Sequence, residues 1–217
     1  MAQDYASSIA GVAIRVTRLQ SDGSLATGPS AAYVLSGDFI SLSFTAEYED
    51  GDEFVQKGGD GAVCVTFKAP DTLKRVTTEI AICNPDPEFS EIVAGGTLLT
   101  SAGNTVGYAA PEIGIDGNPY GVAVEVWSRA IQNGKPASSN PYWHWVFPYV
   151  VARPSGDRVI ENGILANTFE GWGVGNSAWA DGPQNDWPFA AVTDRAYMYA
   201  RTNTAPIGMT GYQTALA

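Results

Sequence analysis

Apolar and polar residues alternate with a period of two along several runs of this 217-residue chain. In GVAIRVTRL (11–19), Val12, Ile14 and Val16 alternate with Ala13, Arg15 and Thr17, the pattern of a half-buried strand. QSDGSLATGPS, which follows, reads as a loop. In DFISLSFTAEY (38–48), Ile40, Leu42, Phe44, Ala46 and Tyr48 share an apolar face, opposite Phe39, Ser41, Ser43, Thr45 and Glu47. That strand has an inside and an outside. GAVCVTFKA (61–69) and LKRVTTEIAIC (73–83) predict two more strands, joined at Pro70-Asp71 into a hairpin because proline presets the turn.

One helix is signalled, in NPDPEFSEIVAGG. Asp86 can cap the free amides, Pro87 suits the first helical position, and Gly95 can take the left-handed stop. Phe89, Ile92 and Val93 give it an apolar stripe. YGVAVEVWSRA (120–130) and YWHWVFPYVVA (142–152) predict a second long hairpin, and DRVIENGILANTF (157–169) another strand. The Gly/Trp-rich stretch within 171–194 reads as an irregular loop or insertion, DRAYMYART (194–202) as a last strand, and 203–217 as a loosely held tail. No repeat or composition break divides the chain. The expected fold is a single mainly-β domain over 1–217, a β-sandwich or partial barrel with one short flanking α-helix.

Composition agrees: glycine (24) and proline (13) are plentiful, and only 16% of residues are charged, which favours strands and turns. The net charge of −11 argues against a phosphate-neutralising nucleic-acid binder and against docking on an anionic membrane. No run of 18 apolar residues is present to span a bilayer. The opening MAQDYASSIAGVAIRV lacks a basic n-region and a long apolar core, so the expectation is a chain made in the cytoplasm. Cys64 and Cys83 are expected as buried, reduced thiols. The hairpin would set Cys64 opposite Thr77, not Cys83.

Catalytic signatures are sparse. His144, the sole histidine, sits among Tyr142, Trp143 and Trp145 in a strand, which reads as structural. GWGVGNSAW has no phosphate-loop pattern. EYEDGDE places five carboxylates within seven positions but without calcium-loop spacing. No metal, cofactor or enzymatic activity is expected. Trp143, Trp145, Phe147 and Tyr149 fall on one strand face, a row suited to a core or a subunit contact. Pro148 within that strand predicts an edge or a bulge.

The order of these pieces, IRVTRLQSDG, DFISLSF, then DGAVCVTFKAPDTLKRVTTEIAICNPDPEFSEIVAGG, then AVEVWSR with HWVFPYV, and RVIENGILANTFEG, resembles the major tail (tube) proteins of long, non-contractile-tailed bacteriophages. The likeness spans about residues 8–170 and is strongest over 60–96. It implies a virion protein made in the host bacterial cytoplasm, whose hexameric rings stack into a tail tube and whose strands close into a barrel across subunits. It also implies contacts with other tail proteins such as the tape measure and terminator, and a channel that DNA crosses without specific binding. By position, the loop reaching the next ring would be 48–60, with Glu47, Glu49, Asp50, Asp52, Glu53, Phe54 and Lys57 as its contact residues. At −11 per copy, six copies would carry −66, giving an electronegative wall. Screening confines such fields to about 8 Å at physiological salt, so the wall acts on DNA that comes close.

Two other readings stay open at the level of sequence. One is a carbohydrate-binding β-sandwich with an exposed row of Trp143, Trp145 and Trp172 or Trp179. The other is a different virion β-protein, a capsid decoration or tail terminator.

Overall fold

The computed structural model describes residues 6–156, 167–189 and 194–216. In chain order its strands are β1 (Ser7–Arg18), β2 (Gly28–Ser36), β3 (Phe39–Glu49), β4 (Glu53–Lys57), β5 (Val63–Lys68) and β6 (Thr72–Ile82). After helix α1 (Pro87–Ala94) come β7 (Thr97–Ser101), β8 (Asn104–Ala109), β9 (Val122–Gln132), β10 (Lys135–Pro136), β11 (Tyr142–Ser155), β12 (Asn167–Gly173), β13 (Met198–Thr202) and β14 (Gly211–Ala215). The fold is mainly β with a short helix, as the residue pattern predicts.

Ten strands form one antiparallel sheet in the order β14-β2-β1-β9-β11-β12-β6-β3, with β10 added to β9 and β13 to β11. The sheet coils but does not close into a barrel. Its β3 end comes beside β1, where the Phe39 ring lies against Gly11 and a cleft of about 260 Å³ remains. Strand β11 shares one of its edges between two partners: Tyr142–Val146 pair with β13, and Val150–Ser155 with β12. The pairing of β11 with β9 shifts register between Phe147 and Val150, so Pro148, which has no amide to donate, sits in a bulge as expected.

Inside the coil, Ile14 and Val16 of β1, Ile80 and Ile82 of β6, Val122 and Val124 of β9, Phe147 of β11 and Phe169 of β12 meet the helix. The helix starts and stops as its sequence dictates. Asp86 accepts the Phe89 amide at 2.9 Å, Pro87 opens the first turn, and Gly95 ends it at φ 73°. Phe89, Ile92 and Val93 are fully buried, each worth roughly 1.5–3 kcal/mol of transfer free energy. On the other side of the sheet, the stretch after β12 folds back through a 3-10 turn (Ser177–Trp179), so that Trp179 and Trp187 cover Leu19, Ala123 and Val146. From Ala13 to Thr17 both faces of β1 are buried, instead of the expected one, while residues 7–11 stay exposed.

Several sequence-based expectations need correction. The hairpin over 61–83 does not form: β5 pairs with β4, while β6 pairs with β3 and β12. Pro70 and Asp71 do not turn the chain back, because they lie along a longer arm. There the Ala69 amide donates to the Asp52 carbonyl (2.9 Å) and the Gly51 amide to the Asp71 carboxylate (3.0 Å). Cys64 therefore does not face Thr77. It is exposed and Cys83 half-buried, both as free thiols. The expected loop 48–60 is mostly strand, with its reversal confined to the Gly-rich tip after Lys57. In β3 the register shifts between Phe39 and Ser41 and again between Glu47 and Tyr48. Phe39, expected on the polar face, is buried, whereas on the expected apolar face Leu42 and Ala46 are half-buried and Ile40, Phe44 and Tyr48 are exposed.

Strand β2 begins within the predicted loop, and the β7–β8 hairpin carried no clear signal. Residues 203–217 are not a loose tail as far as they are described, since β14 adds to β2, with Tyr212 opposite Tyr33. The segment from 171 includes the end of β12 before it becomes irregular. The expected strand over 157–169 falls outside the described residues up to 166; its last residues begin β12.

Candidate functional site

Three features stand out once the chain is folded: a projecting arm, a hollow polar sheet face and a buried cluster of charges. The arm is the continuation of β3 and β6 into β4 and β5. Every residue of β4 and β5 is exposed. Across it Phe54 pairs with Phe67 and Gln56 with Val65, so one face presents Phe54, Val65 and Phe67, which are 63%, 59% and 57% accessible. Side chains alternate across a strand, so the opposite face carries Glu53 paired with Lys68 and Val55 with Thr66.

The acidic residues expected at a ring contact gather at the base of this arm. Glu47 and Glu49 end β3, Asp50 and Asp52 span the junction, and Glu53 opens β4, followed by Phe54 and Lys57. Glu47 accepts a hydrogen bond from Arg75 Nε at 2.5 Å. The Asp71 carboxyl is held below the usual carboxylate range by the Gly51 amide and by Lys68. Lys57 makes no ion pair among the described residues.

The second feature lies on the panel formed by the outer part of β11 with β12, β6 and β3. The side of the panel facing away from the core is hollowed into a trough of about 610 Å³. Its register sets Arg153, Glu170, Glu79 and Ser43 in one row and Val151, Trp172, Thr77 and Thr45 in the next. Arg153 donates to Glu170 at 2.9 Å. With Arg75 and Glu47, the face holds three carboxylates against two guanidinium groups. Its small hydroxyl residues are the polar half of the alternation in β3 and β6.

The third feature was not read from the sequence. Arg15, Glu125 and His144 are each 2% exposed or less. Arg15 donates to both Glu125 carboxylate oxygens at 2.7 Å, to Asp186 at 2.9 Å and to Gln213 at 3.3 Å. His144 Nε2 lies 2.9 Å from Glu125 Oε1, and its ring stacks on Trp127 at 4.3 Å. Burial alone would raise the Glu125 pKa, but the Arg15 charge and the bonds from His144 and Arg15 outweigh it and hold the carboxyl at about 2. Burial alone would lower the Arg15 pKa, but Glu125 and Asp186 outweigh it and raise that pKa further. No hydroxyl or thiol is bonded to His144 among the described residues, so the cluster lacks the nucleophile of a triad. It joins β1, β9 and β11 to the irregular segment and to β14. A signal was present: a lone charge inside AIRV, its opposite inside AVEVW, and a histidine inside WHW.

The aromatic row divides at the bulge. Trp143 donates its indole N–H to the Ala6 carbonyl (3.2 Å), and Trp145 to Ser128 Oγ (3.2 Å) while stacking on Tyr199 at 4.6 Å. Phe147 is in the core. Tyr149 packs on the other side, with Val146 and Trp179. Among the described residues, no cluster of three His, Cys, Asp or Glu side chains could hold a metal ion. Comparison with family models and with curated proteins finds no match for this chain.

Proposed function

We propose that the protein is a structural virion subunit that assembles into stacked hexameric rings, forming a phage tail tube with an electronegative channel for DNA. The observation that carries this reading is the panel. It has four antiparallel strands, and the pairings of β3 beyond Leu42 and of β11 beyond Val150 each leave one edge without a partner among the described residues. Four is an even number, so these two edges run in opposite directions. Rotation about an axis along the strands would therefore bring them together as another antiparallel pair, and repetition would close a ring without exposed edges. Pro154 offers no amide, so the ladder on the β11 side would be short. The hollow polar side of the panel would then face the bore, with more carboxylates than guanidinium groups.

For the carbohydrate-binding alternative the tryptophans divide, since Trp172 is exposed on the trough but has no exposed row beside it among the described residues. Trp179 is fully buried, and Trp143 and Trp145 are tied into the body by their indole N–H groups. The test is direct. Purified protein, concentrated without any cofactor, is expected to form six-fold rings or tubes in negative-stain images. A species that stays monomeric by light scattering at millimolar concentration would overturn the reading.

A further inference from the structure

Among the described residues, nothing covers the apolar strip of the arm and nothing fills the apolar cleft of the body. The cleft lies where the coiled sheet fails to close, between β1 and β3. Ile40, Leu42, Phe44, Val126, Trp145 and Phe147 line it, and serines 8, 41 and 128 supply its polar rim. None of the described residues that line it is charged. Its volume of about 260 Å³ is ample for an aromatic ring, since a dry cavity of about 150 Å³ already takes up benzene. Ile40 at its lip is 52% accessible.

The arm of the same copy does not reach this cleft. Leu42 and Glu49 lie on one continuous strand, about 23 Å apart at roughly 3.3 Å per residue, and Phe54 comes later still. Every residue of β4 and β5 is exposed, so the arm is not folded back on its own body. Strip and cleft match in chemistry but belong to places on one chain that cannot meet within that chain.

We propose that the strip of Phe54, Val65 and Phe67 on one copy docks into the β1–β3 cleft of a second copy, with Phe54 or Phe67 as the inserted ring. The contact joins two different patches, so it is heterologous: each copy gives an arm and receives one, and the pattern propagates as a ring or an open stack. Burying the phenyl rings removes from water the most apolar part of the arm and leaves the acidic base at the rim, where it remains hydrated. This inference rests on the assembly reading above and adds to it the receiving surface.

The test uses the full chain with Cys64→Ser and Cys83→Ser, into which Phe54→Cys and Ile40→Cys are introduced together. Mild oxidation of assembled protein is expected to give a ladder of covalent multimers in denaturing gels, and either new cysteine alone no ladder. In a second arm, Phe54→Lys and Ile40→Glu are each expected to reduce the sedimenting fraction at least tenfold, and their combination in one chain to restore it. Thermal midpoints are expected to stay at that of the parent, since both positions are exposed. Rings or tubes that form without cross-linking, and that tolerate Phe54→Lys, would overturn the docking while leaving the assembly reading in place. Failure of the parent protein to associate at all would overturn both.

Discussion

Arg15 and Glu125 form a two-bond ion pair, both bonds 2.7 Å long, inside a sheet that buries both residues completely. Removing one partner would strand the other in a low-dielectric site, so Glu125→Ala is expected to cost about 3–5 kcal/mol. Replacing both, as Arg15→Met with Glu125→Leu, should recover part of that loss, since the carboxylate then left without its guanidinium partner, Asp186, keeps some contact with solvent. Urea unfolding of the three variants measures both effects.

The same pair sets a pH dependence. The Glu125 pKa is about 2 in the folded chain against an ordinary 4.5. A depressed carboxylate contributes stability that is present above its unfolded pKa and is lost as pH falls toward its folded one. That contribution should therefore fade between pH 4.5 and about 2. In Glu125→Gln, this part of the acid limb is expected to be missing when unfolding midpoints are compared across that range.

Asp86 carries two bonds at one helix end: it accepts the Phe89 amide at 2.9 Å and the Tyr33 hydroxyl at 2.8 Å. Asp86→Ala removes the cap and leaves the hydroxyl without this acceptor, for an expected loss of about 1–2 kcal/mol. Asp86→Asn keeps a capping oxygen and should cost less. A double-mutant cycle with Tyr33→Phe separates the two bonds.

The helix was legible because its signals are local: cap, proline, stripe and glycine lie within thirteen residues. The β9–β11 hairpin was legible because both strands are long and apolar. Pairing between distant segments was not. The sequence of Pro70-Asp71 suits a turn, yet the chain continues through it, because pairing β6 with β3 and β12 places Val76, Ile80 and Ile82 in the core. A local preference lost to that burial. Strand β14 was unreadable for a similar reason: GYQTA has little apolar alternation, and it pairs where β2 offers an edge and Arg15 offers Gln213 a donor. At the candidate site, the acidic residues and Phe54 were legible as a group. The apolar strip was not, because it exists only when β4 and β5 pair with each other.

Charge at the arm base gives a prediction that separates assembly from folding. Glu49 and Asp50 are exposed, and neither forms an ion pair among the described residues. Changing both to lysine should leave the unfolding midpoint within about 0.5 kcal/mol of the parent, as for most surface substitutions. The same change inverts the local charge at the expected contact between rings. Tubes imaged by negative stain should become rarer and shorter; normal tubes of normal length would remove this loop from the contact.

Cys64, on the face of β5 opposite to that of Val65 and Phe67, reads whether neighbouring copies enclose the arm as a whole. It lies on β5, exposed, with its sulfur 3.9 Å from the Ala62 carbonyl, whereas Cys83 is half-buried beyond the end of β6. In the dispersed protein a maleimide should modify Cys64 well before Cys83, since access differs between the two. If neighbouring copies cover the arm, modification of Cys64 should slow at least tenfold in assembled material while Cys83 changes little. Cysteine 64 reacting equally fast in both states would mean that this part of the arm remains in solvent after assembly. Modifying Cys64 in advance then gives the converse measurement: a bulky adduct on a covered arm should block association, and a small methylthio adduct should block it less.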